Sequence, residues 1–173
     1  MEGVTIGGLA KKVGMSKSGL YAHFESKEDL QSQVLDYAAG HYADVVLIKA
    51  FKKPRGLPRI RTLFELQLKW INGEFSGGCP FVAAATEFDD KGGPVRDRLV
   101  AHQKKFLGTI SESAQLGIEE GQFRDDLDVD QFAFEFWAIL LSYHHFARLM
   151  RRKDARDRAS LAFENLVYRA GKT

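Results

Sequence analysis

Apolar residues recur every three to four positions along almost the whole chain. Ile60, Phe64, Gln67, Ile71 and Phe75 step by four, three, four and four, and Val95, Leu99, His102, Phe106 and Ile110 repeat that stride. Such spacing places each set on one face of an α-helix. No segment sustains the apolar/polar alternation of a strand, and the prolines at 54, 58, 80 and 94 stand where one helical pattern ends or the next begins. The pattern predicts an all-α fold. Short helices are expected near 5–12 and 16–23 and a longer one from about 27 to 48, followed by helices near 57–74, 80–88, 93–119, 129–151 and 154–170. The stretches FKKPRGLP, SGGCP and DDKGGP read as connections, and Gly121 as a C-terminal helix stop. There is no internal repeat and no low-complexity segment.

The segment near 129–151 breaks the single-stripe rule. Phe132, Phe134, Phe136, Trp137, Ile139, Leu140, Leu141, Tyr143 and Phe146 go most of the way round the helix, so it wants burial on more than one side. A core contact on one face and a twofold-related copy of the chain on the other satisfies that demand. The helix near 154–170 adds a stripe of Ala155, Ala159, Ala162, Phe163, Leu166 and Val167, which can complete a four-helix interface with the symmetry mate. The alternative is the central helix of a monomer.

Composition narrows the class. The chain has 173 residues, 45% of them hydrophobic, enough for a real core, and its formal charge of +2 calls for any anion-binding surface to be local. Cys79 is the single cysteine, so an intrachain disulfide is impossible and a reducing cytoplasm fits. The most apolar run, FAFEFWAILLSY, contains Glu135 and is shorter than the roughly 20 residues that span a bilayer. No membrane association is expected.

The most informative chemistry lies near the start. Thr5 can cap a helix whose apolar face is Ile6, Leu9, Ala10 and Val13; Gly14 then supplies the positive φ of a tight turn, and Ser16 caps a second helix anchored by Met15, Leu20 and Phe24. This is a helix-turn-helix order, in which the second helix offers its N-terminal residues to the major groove. Ser16, Lys17 and Ser18 are donors for base edges and phosphates, and Gly19 permits close approach. Tyr21 can meet a phosphate, a sugar or a thymine methyl, and His23 can donate to a phosphate. In SKED, Ser26 and Asp29 form a capping box, which leaves Lys27 at a helix start that favours a phosphate. Lys11, Lys12, Lys17 and Lys27 are offset by Glu2, Glu25, Glu28 and Asp29, so phosphate binding should be weak and strongly salt-dependent.

The stretch VTIGGLAKKVGMSKSGLYAHFESKEDL resembles the N-terminal signature of the TetR family of transcriptional regulators. The resemblance implies an N-terminal helix-turn-helix DNA-binding domain, here over 1–46, followed by a helical effector-binding and dimerisation domain over 47–173. It further implies a homodimer that binds a pseudo-palindromic operator on double-stranded DNA, usually as a repressor, and leaves it when a small molecule enters the C-terminal domain. Thr5 and Lys27 match positions that usually hold phosphates, while Lys17, Ser18, Gly19, Tyr21 and His23 match the recognition helix and the residues after it. Family members begin with a further amphipathic helix that this sequence is expected to lack, because Met1 stands only a few residues before Thr5. A small-molecule-binding protein that has lost DNA binding is therefore the alternative reading.

Candidates for lining an effector pocket are Phe64, Leu68, Ile71, Phe81, Glu87, His102, Phe106, Phe134, Trp137, Tyr143 and His144. Their aromatic richness suits an apolar or aromatic effector. Cys79 precedes Pro80, which suits the first position of a helix; a thiol there can be activated, although a buried packing role is the commoner one. Adjacent His144 and His145 do not form a metal clamp, and Glu87, Asp89 and Asp90 read as a solvated rim. With no nucleophile–base pair, metal spacing or phosphate loop, neither catalysis nor a cofactor is expected.

Overall fold

The computed structural model of the chain describes Gly14, Ser16, Ser18, Gly19 and residues 23–75 and 77–172. Thr5, Lys17, Tyr21 and the helix expected near 5–12 lie outside the described residues. Helix α1, Lys27–Tyr42, starts at Ser26, whose hydroxyl accepts from the Asp29 amide at 3.0 Å. The Asp29 carboxylate in return accepts from the Glu25 amide at 3.2 Å, one residue before the cap. Removing such a cap costs about 1 kcal/mol. The helical path continues through a π-helical turn, π1 (Ala43–Leu47), into α2 (Ile48–Phe51), so the rod ends three residues beyond the expected 48.

Five longer helices follow: α3 (Leu57–Lys69) with a terminal π2 (Trp70–Glu74), α4 (Pro80–Phe88), α5 (Pro94–Glu119), α6 (Val129–His144) with a terminal π3 (His145–Leu149), and α7 (Ala155–Ala170). Among the described residues there is no strand, only an isolated bridge between Phe123 and Gly171. Pro58, Pro80 and Pro94 sit in first turns, where a missing N–H costs nothing. Gly121, at φ 69°, closes α5, and the Gln122 amide donates back to the Gly117 carbonyl at 2.8 Å. The same Gln122 caps α3: its Oε1 accepts from the Leu57 amide at 2.6 Å. Gly56, at φ 77°, makes this possible, because a Cβ there would stand 2.2 Å from that oxygen.

Two apolar clusters organise the interior. In the larger, Phe64 of α3 stacks on Phe163 of α7 with ring centres 4.0 Å apart, and Phe136 of α6 meets both edge-on. The smaller joins Leu35 of α1 to Ala84 and Phe88 of α4 and to Val95 and Leu99 of α5. The middle of α1 is thereby fastened to α4 and α5. On α6, Phe132, Ala133, Phe136, Leu140 and Tyr143 are buried, yet Phe134 is 65% exposed and Leu141 39%. The helix is apolar on its solvent side as well as its core side.

Candidate ligand cavity and nucleic-acid interface

A cavity of about 250 Å³ lies between the end of α1, α3, α4, α5 and α6. The rod from α1 into π1 contributes Ala39, Gly40, Tyr42, Ala43 and Leu47; α3 contributes Gln67. Cys79 and Phe81 come from the start of α4, His102, Gln103, Lys105, Phe106 and Thr109 from α5, and Trp137 from α6. Its walls are mostly apolar and include an aromatic cluster: Phe106 lies 5.2 Å from Trp137 and 6.1 Å from Tyr42, ring centre to ring centre. Tyr42 is held in turn by Trp70, edge-on at 5.1 Å. Such a lining suits an apolar ligand with a few oriented polar contacts.

The polar groups around this space differ in how well they are satisfied. His102 Nε2 lies 2.9 Å from Asp36 Oδ1, and Arg98 approaches the other oxygen of that carboxylate at 3.3 Å. A cavity-lining side chain is thus tied directly to α1. Tyr42 Oη and Gln67 Oε1, by contrast, are buried with no hydrogen-bond partner. Burial holds the Tyr42 phenol well above its usual pKa, with the neighbouring Cys79 adding to the effect. Cys79 is buried; Trp70 Nε1 donates to its sulfur at 3.3 Å. Burial pushes this thiol up, outweighing the helix-terminal amides and the Trp70 contact that pull it down. It is the packed, protonated cysteine, not an activated thiolate.

Of the residues singled out from the pattern, Phe81, His102, Phe106 and Trp137 come together on the cavity wall. Phe64, Leu68 and Ile71 are core residues that do not line it, because their stripe faces the inter-helix packing. Glu87 is half-buried on α4, outside the cavity wall. Phe134 projects outward, two residues and so about 200° round the helix from the buried Phe136. Tyr143 lines a separate groove between α6 and α7, and burial, followed by Arg148 and His145, pushes the His144 pKa down. Tyr42, Gln67, Gln103, Lys105 and Thr109 were not anticipated. One signal was available: Gln67, like His102, is a polar residue standing inside an otherwise apolar helical stripe.

At the other end of α1, Gly14 has φ 71°, as its turn requires, and Ser16 Oγ accepts from the Gly19 amide at 2.9 Å as the cap of the following helix. Ser16, Ser18 and His23 are exposed, and Gly19 and Lys27 are partly so. Among the described residues no group of three or more His, Cys, Asp or Glu could hold a metal ion, and no helix is long and apolar enough to cross a membrane.

The model of the bacterial regulatory proteins of the tetR family matches residues 1–34, and that of the tetracyclin repressor-like C-terminal domain matches residues 56–163. The chain is 27% identical over 136 residues to the HTH-type transcriptional repressor KstR2 of Mycobacterium tuberculosis (strain ATCC 25618 / H37Rv), a match covering 75% of this chain and 64% of that protein's length. Its fold is similar to a TetR transcriptional regulator from Chloroflexus aurantiacus J-10-FL (TM-score 0.84, 26% identity, 96% of this chain and 83% of that one). It is also similar to AibR in complex with isovaleryl coenzyme A and operator DNA (TM-score 0.77, 20% identity, 96% and 88%).

Proposed function

Because the chain belongs to the tetR family of bacterial regulatory proteins, a family of ligand-responsive transcriptional regulators, we propose that it is a cytoplasmic repressor. It binds a pseudo-palindromic operator as a homodimer and is released when a small molecule fills the cavity. The expected division assigns DNA reading to residues 1–46, through Thr5, Ser16, Lys17, Ser18, Gly19, Tyr21, His23 and Lys27, and effector and partner binding to residues 47–173, while Ala39, Gly40, Tyr42 and Ala43 of the first unit also line the cavity.

The observation that carries this reading is the rod that starts at Lys27. Its first residues adjoin the helix-turn-helix, and its last turn and π1 form one wall of the cavity. A ligand pressing on Tyr42 or Ala43, or turning His102 away from Asp36, acts on the element that aims the DNA-reading surface. Release needs only differential affinity: a ligand that favours the DNA-incompetent arrangement by about 3 kcal/mol weakens operator binding by about 100-fold. For the dimer, the support is the exposed face of α6 and α7, with Phe134 and Leu141 on one helix and Leu161 and Tyr168 on the other, each pair seven residues apart on one helix face.

A mobility-shift assay of the full chain on its own upstream DNA, over a salt series, tests the reading. A specific shift that weakens steeply with salt is expected, and Tyr21→Ala removes it while sedimentation still reports a dimer. Ligand binding with no DNA shift returns the alternative, a helical binding protein without an operator; loss of the dimer in Tyr21→Ala makes that residue structural.

A further inference from the structure

The residues that wall the cavity run from buried to open. Tyr42, Gln67 and Cys79 are buried, Phe81, Phe106 and Trp137 are half-buried, and Gly40 and Lys105 are exposed. The space is therefore a funnel, its floor at the three buried residues and its mouth between Gly40 of α1 and Lys105 of α5. At Gly40 the rim is bare backbone, and a Cβ added there would meet nothing within 4 Å. No side chain of that residue narrows the opening.

Charge distinguishes the mouth from the interior. Among the described residues no aspartate or glutamate lines the space, and Lys105 is the one lysine or arginine that does. Its ammonium has no ion-pair partner among the described residues; only its carbonyl is engaged, accepting from the Thr109 hydroxyl at 2.9 Å. Asp36, one turn before Gly40 on α1, is already held by His102 and Arg98. The four-carbon stem of a lysine is flexible, so the ammonium can swing over the opening. A ligand that suits both parts has an apolar body and one anionic end. Carried to the floor, the charge would lose its water and meet no cation; left at the mouth, it stays partly hydrated and meets Lys105. The body goes in first. For size, an apolar cavity of about 150 Å³ holds benzene, so about 250 Å³ admits one or two rings.

We propose that the cavity takes a compact cyclic monocarboxylate, its rings against Phe106 and Trp137 and its carboxylate at the mouth on the Lys105 ammonium. This names the effector class of the regulator reading and rests on the cavity being the effector site. The test is calorimetric titration of the full chain, at neutral pH and low salt, with indane-2-carboxylate, the neutral indane-2-carboxamide and the cationic 2-aminoindane. These share a two-ring frame and differ in the charge of the head. The carboxylate is expected to bind about fivefold more tightly than the carboxamide, and the amine most weakly. Added salt should narrow that lead. Lys105→Gln should abolish it and Lys105→Glu should reverse it, so that the amine binds best. Lys105 is exposed, and an unchanged affinity for the carboxamide in both variants shows that the cavity is intact. Gly40→Leu should slow the association of every probe, followed by stopped-flow tryptophan fluorescence, and leave their ranking as it was.

A carboxamide that binds as tightly as the carboxylate, a ranking that survives Lys105→Glu, an association rate untouched by Gly40→Leu, or no binding of any probe would each overturn the proposal. A mobility shift on the same preparations keeps the two readings apart. If the probe ranking stands without a DNA shift, the regulator reading fails and the ligand class survives; a DNA shift with the ranking absent does the reverse.

Discussion

The cavity is a concave, mostly apolar space walled by five elements, whereas on the outer face of α6 and α7 the large side chains lie open and the charges beside them are paired. Phe134, Leu161 and Tyr168 are 65%, 64% and 86% exposed. Near them Glu135 pairs with Arg169, Glu164 with Arg61 and Glu65 with Arg156. Exposed pairs of this kind contribute only about 0–1 kcal/mol each, but they leave few polar groups asking for a partner. A surface whose charges are already matched and whose centre is apolar suits another flat apolar surface, such as a second copy of itself. A small concave space with apolar walls and a few polar side chains suits a small molecule. Both regions are apolar; their shape, concave in one and open in the other, separates a small partner from a protein one.

Phe136 is the core ring that lies between the two regions, packed toward Phe106 on the cavity wall and toward the buried Phe163 of α7, the helix whose other side carries Leu161 and Tyr168. Phe136→Ala is therefore the substitution that should break both, lowering stability in urea unfolding by about 3–5 kcal/mol through the void it leaves. A loss under about 1 kcal/mol would show that this ring does not hold the regions together. Phe134→Glu should separate them: it puts a charge into the outer face and weakens self-association by about 30-fold or more in sedimentation equilibrium. Its unfolding midpoint, measured on the monomer, and its affinity for cavity ligands should stay at parental values; an unchanged dimer would place the interface elsewhere. The smallest effect belongs to His102→Ala, which cuts the tie from cavity to α1. Coupling carried by one such contact is about 0.5–2 kcal/mol, so ligand-induced release of DNA should weaken by a few-fold to about 30-fold in a mobility shift. Full release in that variant would mean that the His102–Asp36 contact transmits nothing.

Much of this could be read from local pattern. Helix positions follow from a stride that each segment carries within itself. Gly14 and Gly121 sit at the positive-φ turns their neighbours demand, Ser26 caps where SKED indicates, and the apolar belt around α6 is visible as a composition that one buried face cannot absorb. The family signature in the first 30 or so residues is of the same kind, a short run of residue types at fixed spacing along the chain.

What stayed hidden depends on distance along the chain. His102 and Asp36 stand 66 residues apart, and Tyr42 and Gln67 belong to different helices. No local period brings such pairs to one space. The π turns at Ala43, Trp70 and His145 widen the helix by about one residue per turn, so faces extrapolated at 3.6 residues drift beyond them. Local sequence determined the helices, their ends and the family motif, because those depend on neighbours within a few positions. Only the packing of α1, α3, α5 and α6 decided which polar atoms are left without partners and which apolar side chains remain outside, because both are properties of surfaces that form when distant segments meet.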